Sequence, residues 1–129
     1  MPTTLDTRDG LRHKTLMIFA AATDENTLFV FPSMAAAIAH CEAIDVEDGG
    51  WRFWNGSGSA LVAEFTAPVH RAGLMAGGGS YRLVTATDKP TLAASLGDID
   101  HLDANPRFAT LSDVGDHLAA VGVAPRRED

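Results

Sequence analysis

The sequence holds a single cysteine, Cys41, in 129 residues. That excludes an intramolecular disulfide and a cysteine-built zinc site, and it points to a reducing compartment. Long apolar runs are also missing: none approaches the roughly 18 residues that a membrane-spanning helix needs. The opening Met-Pro-Thr-Thr-Leu-Asp-Thr-Arg-Asp-Gly lacks the apolar stretch of a secretory leader, so the expected location is the cytoplasm. Basic residues are scarce as well, with 10 Lys and Arg against 17 Asp and Glu for a net charge of −7. This balance argues against nucleic acid and anionic membranes and favours a basic protein as partner. Glycine and proline, 12 and 6 residues, fall short of the share of roughly a quarter that marks low-complexity chains. What remains is 46% hydrophobic, enough for one packed domain over residues 1–129, with 1–13 and 123–129 expected as mobile tails.

The pattern of apolar residues predicts an α+β protein. Thr15 to Ala22 (TLMIFAAA) is short, apolar and followed by Thr23-Asp24-Glu25-Asn26, which reads as a buried strand and a turn, with Thr27 to Phe31 (TLFVF) as its hairpin partner. Pro32 ends that strand and Ser33 caps a helix over about Met34 to Ala43, with Met34, Ile38 and Cys41 on one face. After the acidic, glycine-ended turn Ile44 to Gly50, the aromatic run Trp51-Arg52-Phe53-Trp54 predicts a strand. Asn55-Gly56-Ser57-Gly58-Ser59 then turns the chain into Ala60 to Ala67. Arg71 to Ser80 is rich in glycine and reads as a flexible loop before a strand at Tyr81 to Ala86. A short helix capped by Thr87 or Asp88 reaches Gly97, and a last helix capped by Ser112 carries Val114, Leu118 and Val121. The order predicts a mostly antiparallel sheet of about five strands with helices packed on one face.

Catalytic and metal motifs fail in their contexts. Gly77-Gly78-Gly79-Ser80 lacks the lysine and the following helix of a phosphate loop, and Gly56-Ser57-Gly58-Ser59 lacks the spacing of a nucleophile elbow. The histidines, His13, His40, His70, His101 and His117, include no pair at metal-binding helical spacing. Only His101 has crowded acidic neighbours, Asp98, Asp100 and Asp103, and a solvated loop accounts for them. No cofactor is expected, and the reading is of a protein that is not an enzyme. Trp51 and Trp54 project from opposite faces of one strand, so one of them is a candidate binding anchor with Arg52 beside it. The acidic turn Asp45, Glu47 and Asp48 lies next to them and would steer a basic partner.

The segments Phe29-Val30-Phe31-Pro32-Ser33, Ala43-Ile44-Asp45-Val46-Glu47-Asp48-Gly49 and Trp51-Arg52-Phe53-Trp54-Asn55, within about Thr15 to Leu61, resemble small bacterial immunity-type proteins of polymorphic or contact-delivered toxin systems. The resemblance implies a stoichiometric inhibitor that docks on a cognate toxin and occludes its active site. Asp45, Glu47, Asp48, Trp51, Arg52 and Trp54 are the expected contacts. The alternative is a small-molecule-binding domain or small enzyme with a pocket under the Gly77–Gly79 loop, lined by Tyr81, Arg82 and His70.

Overall fold

The computed structural model describes residues 16–72 and 75–121, so the tails expected at 1–13 and 123–129 lie outside the described residues. The hairpin of β1 (Ile18–Ala22) and β2 (Thr27–Phe31) leads into α1 (Met34–His40) and α2 (Ala43–Glu47). Next come β3 (Trp51–Asn55), β4 (Ala60–Ala67), the short pair β5 (His70–Ala72) and β6 (Met75–Gly77), and β7 (Ser80–Thr85). The chain ends with α3 (Leu92–Ser95), a 3-10 turn (Leu96–Asp98), β8 (His101–Leu102) and α4 (Leu111–Val121). Six strands form one sheet in the order β7-β4-β3-β1-β2-β8. All its pairings are antiparallel except that of β8 with β2. The protein is thus α+β with a mostly antiparallel sheet.

Helices cover both faces of that sheet, a correction to the expectation of one. Strand β1 lies at the centre with all five residues buried, and its alternate side chains enter two separate apolar layers. Phe19 and Ala21 join Leu28, Trp54, Leu92, Val114 and Leu118 under α3 and α4. Ile18 and Ala20 join Ala37, Cys41, Phe53, Leu61, Tyr81 and Leu83 under α1 and α2. The continuous apolar run IFAAA is the signature of a strand buried on both sides. The small Ala20 and Ala37 sit in the same layer and let α1 approach β1 closely.

Local chemistry sets where the elements stop. Ser33 Oγ accepts the N–H of Ala36 at 3.1 Å and starts α1. The helix expected to run to Ala43 stops earlier because Cys41 is extended (φ −94°, ψ 99°). Its carbonyl turns away to accept the Tyr81 hydroxyl at 2.5 Å. Thr91, and neither Thr87 nor Asp88, caps α3 by accepting the N–H of Ala94. Thr110 replaces the expected Ser112 at the start of α4: its Oγ1 accepts the Asp113 N–H at 3.1 Å while Asp113 Oδ2 accepts the Thr110 N–H at 3.2 Å, a reciprocal cap. The glycine-rich stretch contains the paired strands β5 and β6, where a loop without regular structure was expected. The acidic stretch contributes β8, held by the N–H groups of Asp100 and His101 donating to the Asn26 carbonyl.

Candidate functional site

Trp51 stands between two grooves that share the residues singled out from the sequence. The first groove encloses about 360 Å³ and is formed where the β1–β2 turn, the end of α1, α2 and the start of β3 meet. Its floor is aromatic. The Phe29 and Trp51 rings lie 5.3 Å apart, edge to face at 67°. The exposed His40 ring stands 5.4 Å from Phe29 and 5.8 Å from Trp51. Period two places Phe29 and Phe31 on the same side of β2, and Phe31 reaches His40 at 5.2 Å.

The rim of this groove is acidic. Asp24 and Glu25 come from the β1–β2 turn, Asp45 from α2, and Asp48 from the turn after it; among the described residues neither lysine nor arginine lines the groove. Backbone bonds hold these segments in place: the Thr23 N–H donates to the Gly50 carbonyl at 2.9 Å, and the Gly50 N–H donates to the Asp45 carbonyl at 2.8 Å. The Thr23 hydroxyl donates to the Gly49 carbonyl at 3.0 Å. Gly49 has φ +84°, a conformation that glycine adopts without a Cβ penalty, and it lets α2 end sharply enough to bring Asp45 and Asp48 beside Trp51.

The second groove, about 540 Å³, lies on the far side of Trp51 between β3 and β4 and takes in Glu47, Arg52, Trp54 and Lys89. Arg52 Nη2 donates to Ser95 Oγ at 2.9 Å, and its guanidinium lies 4.9 Å from the centre of the Trp54 ring, a cation–π geometry. Trp54 itself is 1% exposed, and its indole N–H donates to the Pro90 carbonyl at 3.1 Å. The six predicted contacts are therefore not one surface. Asp45, Asp48 and half-buried Trp51 share the acidic groove, Glu47, Arg52 and Trp51 share the other, and Trp54 is a core residue rather than an interface anchor.

The pocket expected beneath Gly77–Gly79 is not assembled by its three named side chains. Tyr81 is buried against Cys41, whereas Arg82, next along the strand, projects from the other face and pairs with Glu64. His70 is exposed. Burial first, and the Asp45 carboxylate second, push the Cys41 thiol up to about 12, and burial with the nearby Cys41 likewise raises Tyr81 to about 12. Both stay protonated at neutral pH, which removes Cys41 as a nucleophile. His117 is spent on structure: its Nε2 lies 2.7 Å from the Gly56 carbonyl and its ring packs on Phe19 and Phe108. No cluster of three or more metal-ligating side chains occurs among the described residues.

Sequence reasoning missed Phe29, His40, Asp24 and Glu25 as members of the acidic groove. The alternation of Phe29 with Phe31 and the acidic hairpin turn were the available signals. What was lacking was the β1–β3 pairing, Ala22 opposite Trp51, that carries the turn to the tryptophan. No protein-family model, curated protein or solved structure matches the chain. The fold therefore defines the class, an α+β protein built on a six-stranded mostly antiparallel sheet, and nothing in its site or in the comparisons points to enzymatic activity. No helix among the described residues is long and apolar enough to cross a membrane.

Proposed function

We propose that this chain is an immunity-type inhibitor that binds a cognate bacterial toxin, or another basic protein, in the cytoplasm and occludes the toxin's active site. The observation that carries the reading is the first groove: an aromatic floor of Phe29, His40 and Trp51 ringed by Asp24, Glu25, Asp45 and Asp48, in a chain of net charge −7. An arginine or lysine presented by a partner would stack on Trp51 and meet carboxylates at the rim, combining cation–π and charge-assisted contacts. Such a rim also accelerates encounter with a basic surface, so binding should weaken as salt rises. Glu47 and Arg52 lie outside this groove and would contact a partner only at its periphery.

The test is a tagged pull-down from the source organism, followed by mixing with the purified candidate. A one-to-one complex, loss of the candidate's toxic activity, and weaker binding by Asp45→Lys and Trp51→Ala variants that melt as cooperatively as wild type support the reading. A partner that binds both variants as tightly as wild type, or that keeps its activity in the complex, removes it.

A further inference from the structure

The second groove exists because two neighbouring strands separate. β3 and β4 pair at Trp54↔Ala60 and Phe53↔Leu61, where their ladder ends. β4 continues beside β7 to Ala67↔Ser80. The Asn55 N–H donates to the Ser59 carbonyl, so by the alternation of an antiparallel ladder it is Phe53 and Leu61 that exchange hydrogen bonds. Ala63 and Phe65, two and four residues further along, turn their backbone N–H and C=O groups into the opening. The result is a slot through the sheet of about 540 Å³, within the range of small-molecule sites, roughly 300–1,000 Å³.

The two ends of the slot differ in chemistry. On the face covered by α3 stand Arg52, Lys89, Trp54 and Pro90; towards α2 stand Val46, Phe53, Ala63 and Phe65, with Glu47 at the α2 rim. Arg52 is the informative residue. In a chain with 17 acidic side chains against 10 basic ones, this half-buried guanidinium meets no carboxylate among the described residues; its partners are a serine hydroxyl and a tryptophan face. Both contacts fix the guanidinium while leaving donors uncommitted, because the group carries five N–H bonds. A partly desolvated cation held in place with no counter-ion among the described residues, in a slot that Lys89 also lines, is complementary to a ligand with one anionic end and one apolar end.

We propose that the slot between β3 and β4 binds a small amphipathic carboxylate, its anionic head on Arg52 and Lys89 and its apolar body against Val46, Ala63 and Phe65. The site shares only Trp51 with the acidic groove among the described residues and does not depend on the toxin-binding reading. Trp51 and Trp54, the only two tryptophans of the chain, both line it, so intrinsic fluorescence reports occupancy directly.

Phenylbutyrate serves as the probe, with phenylbutanol and phenylbutylamine as neutral and cationic analogues of the same shape, titrated near neutral pH by fluorescence and calorimetry. The acid should saturate a single site and bind at least about tenfold more tightly than the alcohol, the range expected for one charge-assisted contact. Arg52→Met, which keeps the stem over Trp54, should erase that preference. Lys89→Met, at an exposed position, should reduce it without altering the fold. No saturable binding of the acid overturns the proposal. Equal binding of all three probes, or an undiminished preference in folded Arg52→Met and Lys89→Met proteins, overturns it as well.

Discussion

Replacing each tryptophan in turn by alanine separates the two layers of the structure by energy. Trp54 is 1% exposed, lies in the layer under α3 and α4, and donates its indole N–H to Pro90. Truncation of a buried aromatic typically costs about 3–5 kcal/mol, and the indole hydrogen bond to the Pro90 carbonyl is lost with it. For a domain of this size that corresponds to a fall in melting temperature of roughly 10–20 °C. Trp51 is half-buried: it packs on the edge of the layer under α1 and α2 and meets the Phe29 and His40 rings edge to face. Its removal should cost about 1–2 kcal/mol. Urea unfolding followed by far-ultraviolet circular dichroism is the right assay, because fluorescence changes with the substitutions themselves. A Trp54→Ala protein within about 1 kcal/mol of wild type, or a Trp51→Ala protein less stable than Trp54→Ala, would refute the assignment of Trp54 to the core and of Trp51 to the groove.

Further predictions address the fold and its titration. Cys41 and Tyr81 both have folded pKa values near 12, above their ordinary values of 9.0 and 10.0. The unfolded chain therefore loses these protons first, and stability, fully present below pH 9, falls as pH rises. The slope should be about 1.4 kcal/mol per pH unit from Cys41 and about twice that once Tyr81 joins near pH 10. Urea melts across that window should show this slope, and Cys41→Ala should remove its first part. The thiol is 0% exposed, so its reaction with a disulfide reagent at neutral pH should track global unfolding; immediate stoichiometric labelling would contradict its burial. Gly58 has φ +91°, and a Cβ there would sit 2.9 Å from Leu118 Cδ2. Gly58→Ala should thus cost about 1–3 kcal/mol, whereas Gly97→Ala, with nothing within 4 Å, should leave the melting temperature nearly unchanged. Thr110→Ala should cost about 0.5–2 kcal/mol by removing the α4 cap, while Ser112→Ala should be neutral; thermal melts of the pair decide between the two caps.

Much of the fold is legible in the sequence because local chemistry dictates it. TLFVF followed by Pro32 and Ser33 yields a strand end and a capped helix, and the Asn55 side chain accepts the Ser57 and Ser59 N–H groups, as a tight turn at that position requires. The acid-rich turn beside an aromatic strand is equally a local pattern. Cap identity was harder to read, since Thr110, Ser112, Thr87 and Thr91 carry the same chemistry and only packing selects among them.

The amino-acid order by itself determined the longer strands and the positions of α1, α3 and α4, the acidic balance and the proximity of Asp45 and Asp48 to Trp51, since these depend on neighbours along the chain. Tertiary structure alone decided that helices would cover both sheet faces, which buries Trp54 and leaves Trp51 at a rim. It also decided that the β1–β2 turn would deliver Asp24 and Glu25 to that rim, and that β3 and β4 would part beyond Phe53 and Leu61. These outcomes follow from which strands pair and in what register, and pairing joins residues too far apart in sequence for any local pattern to specify.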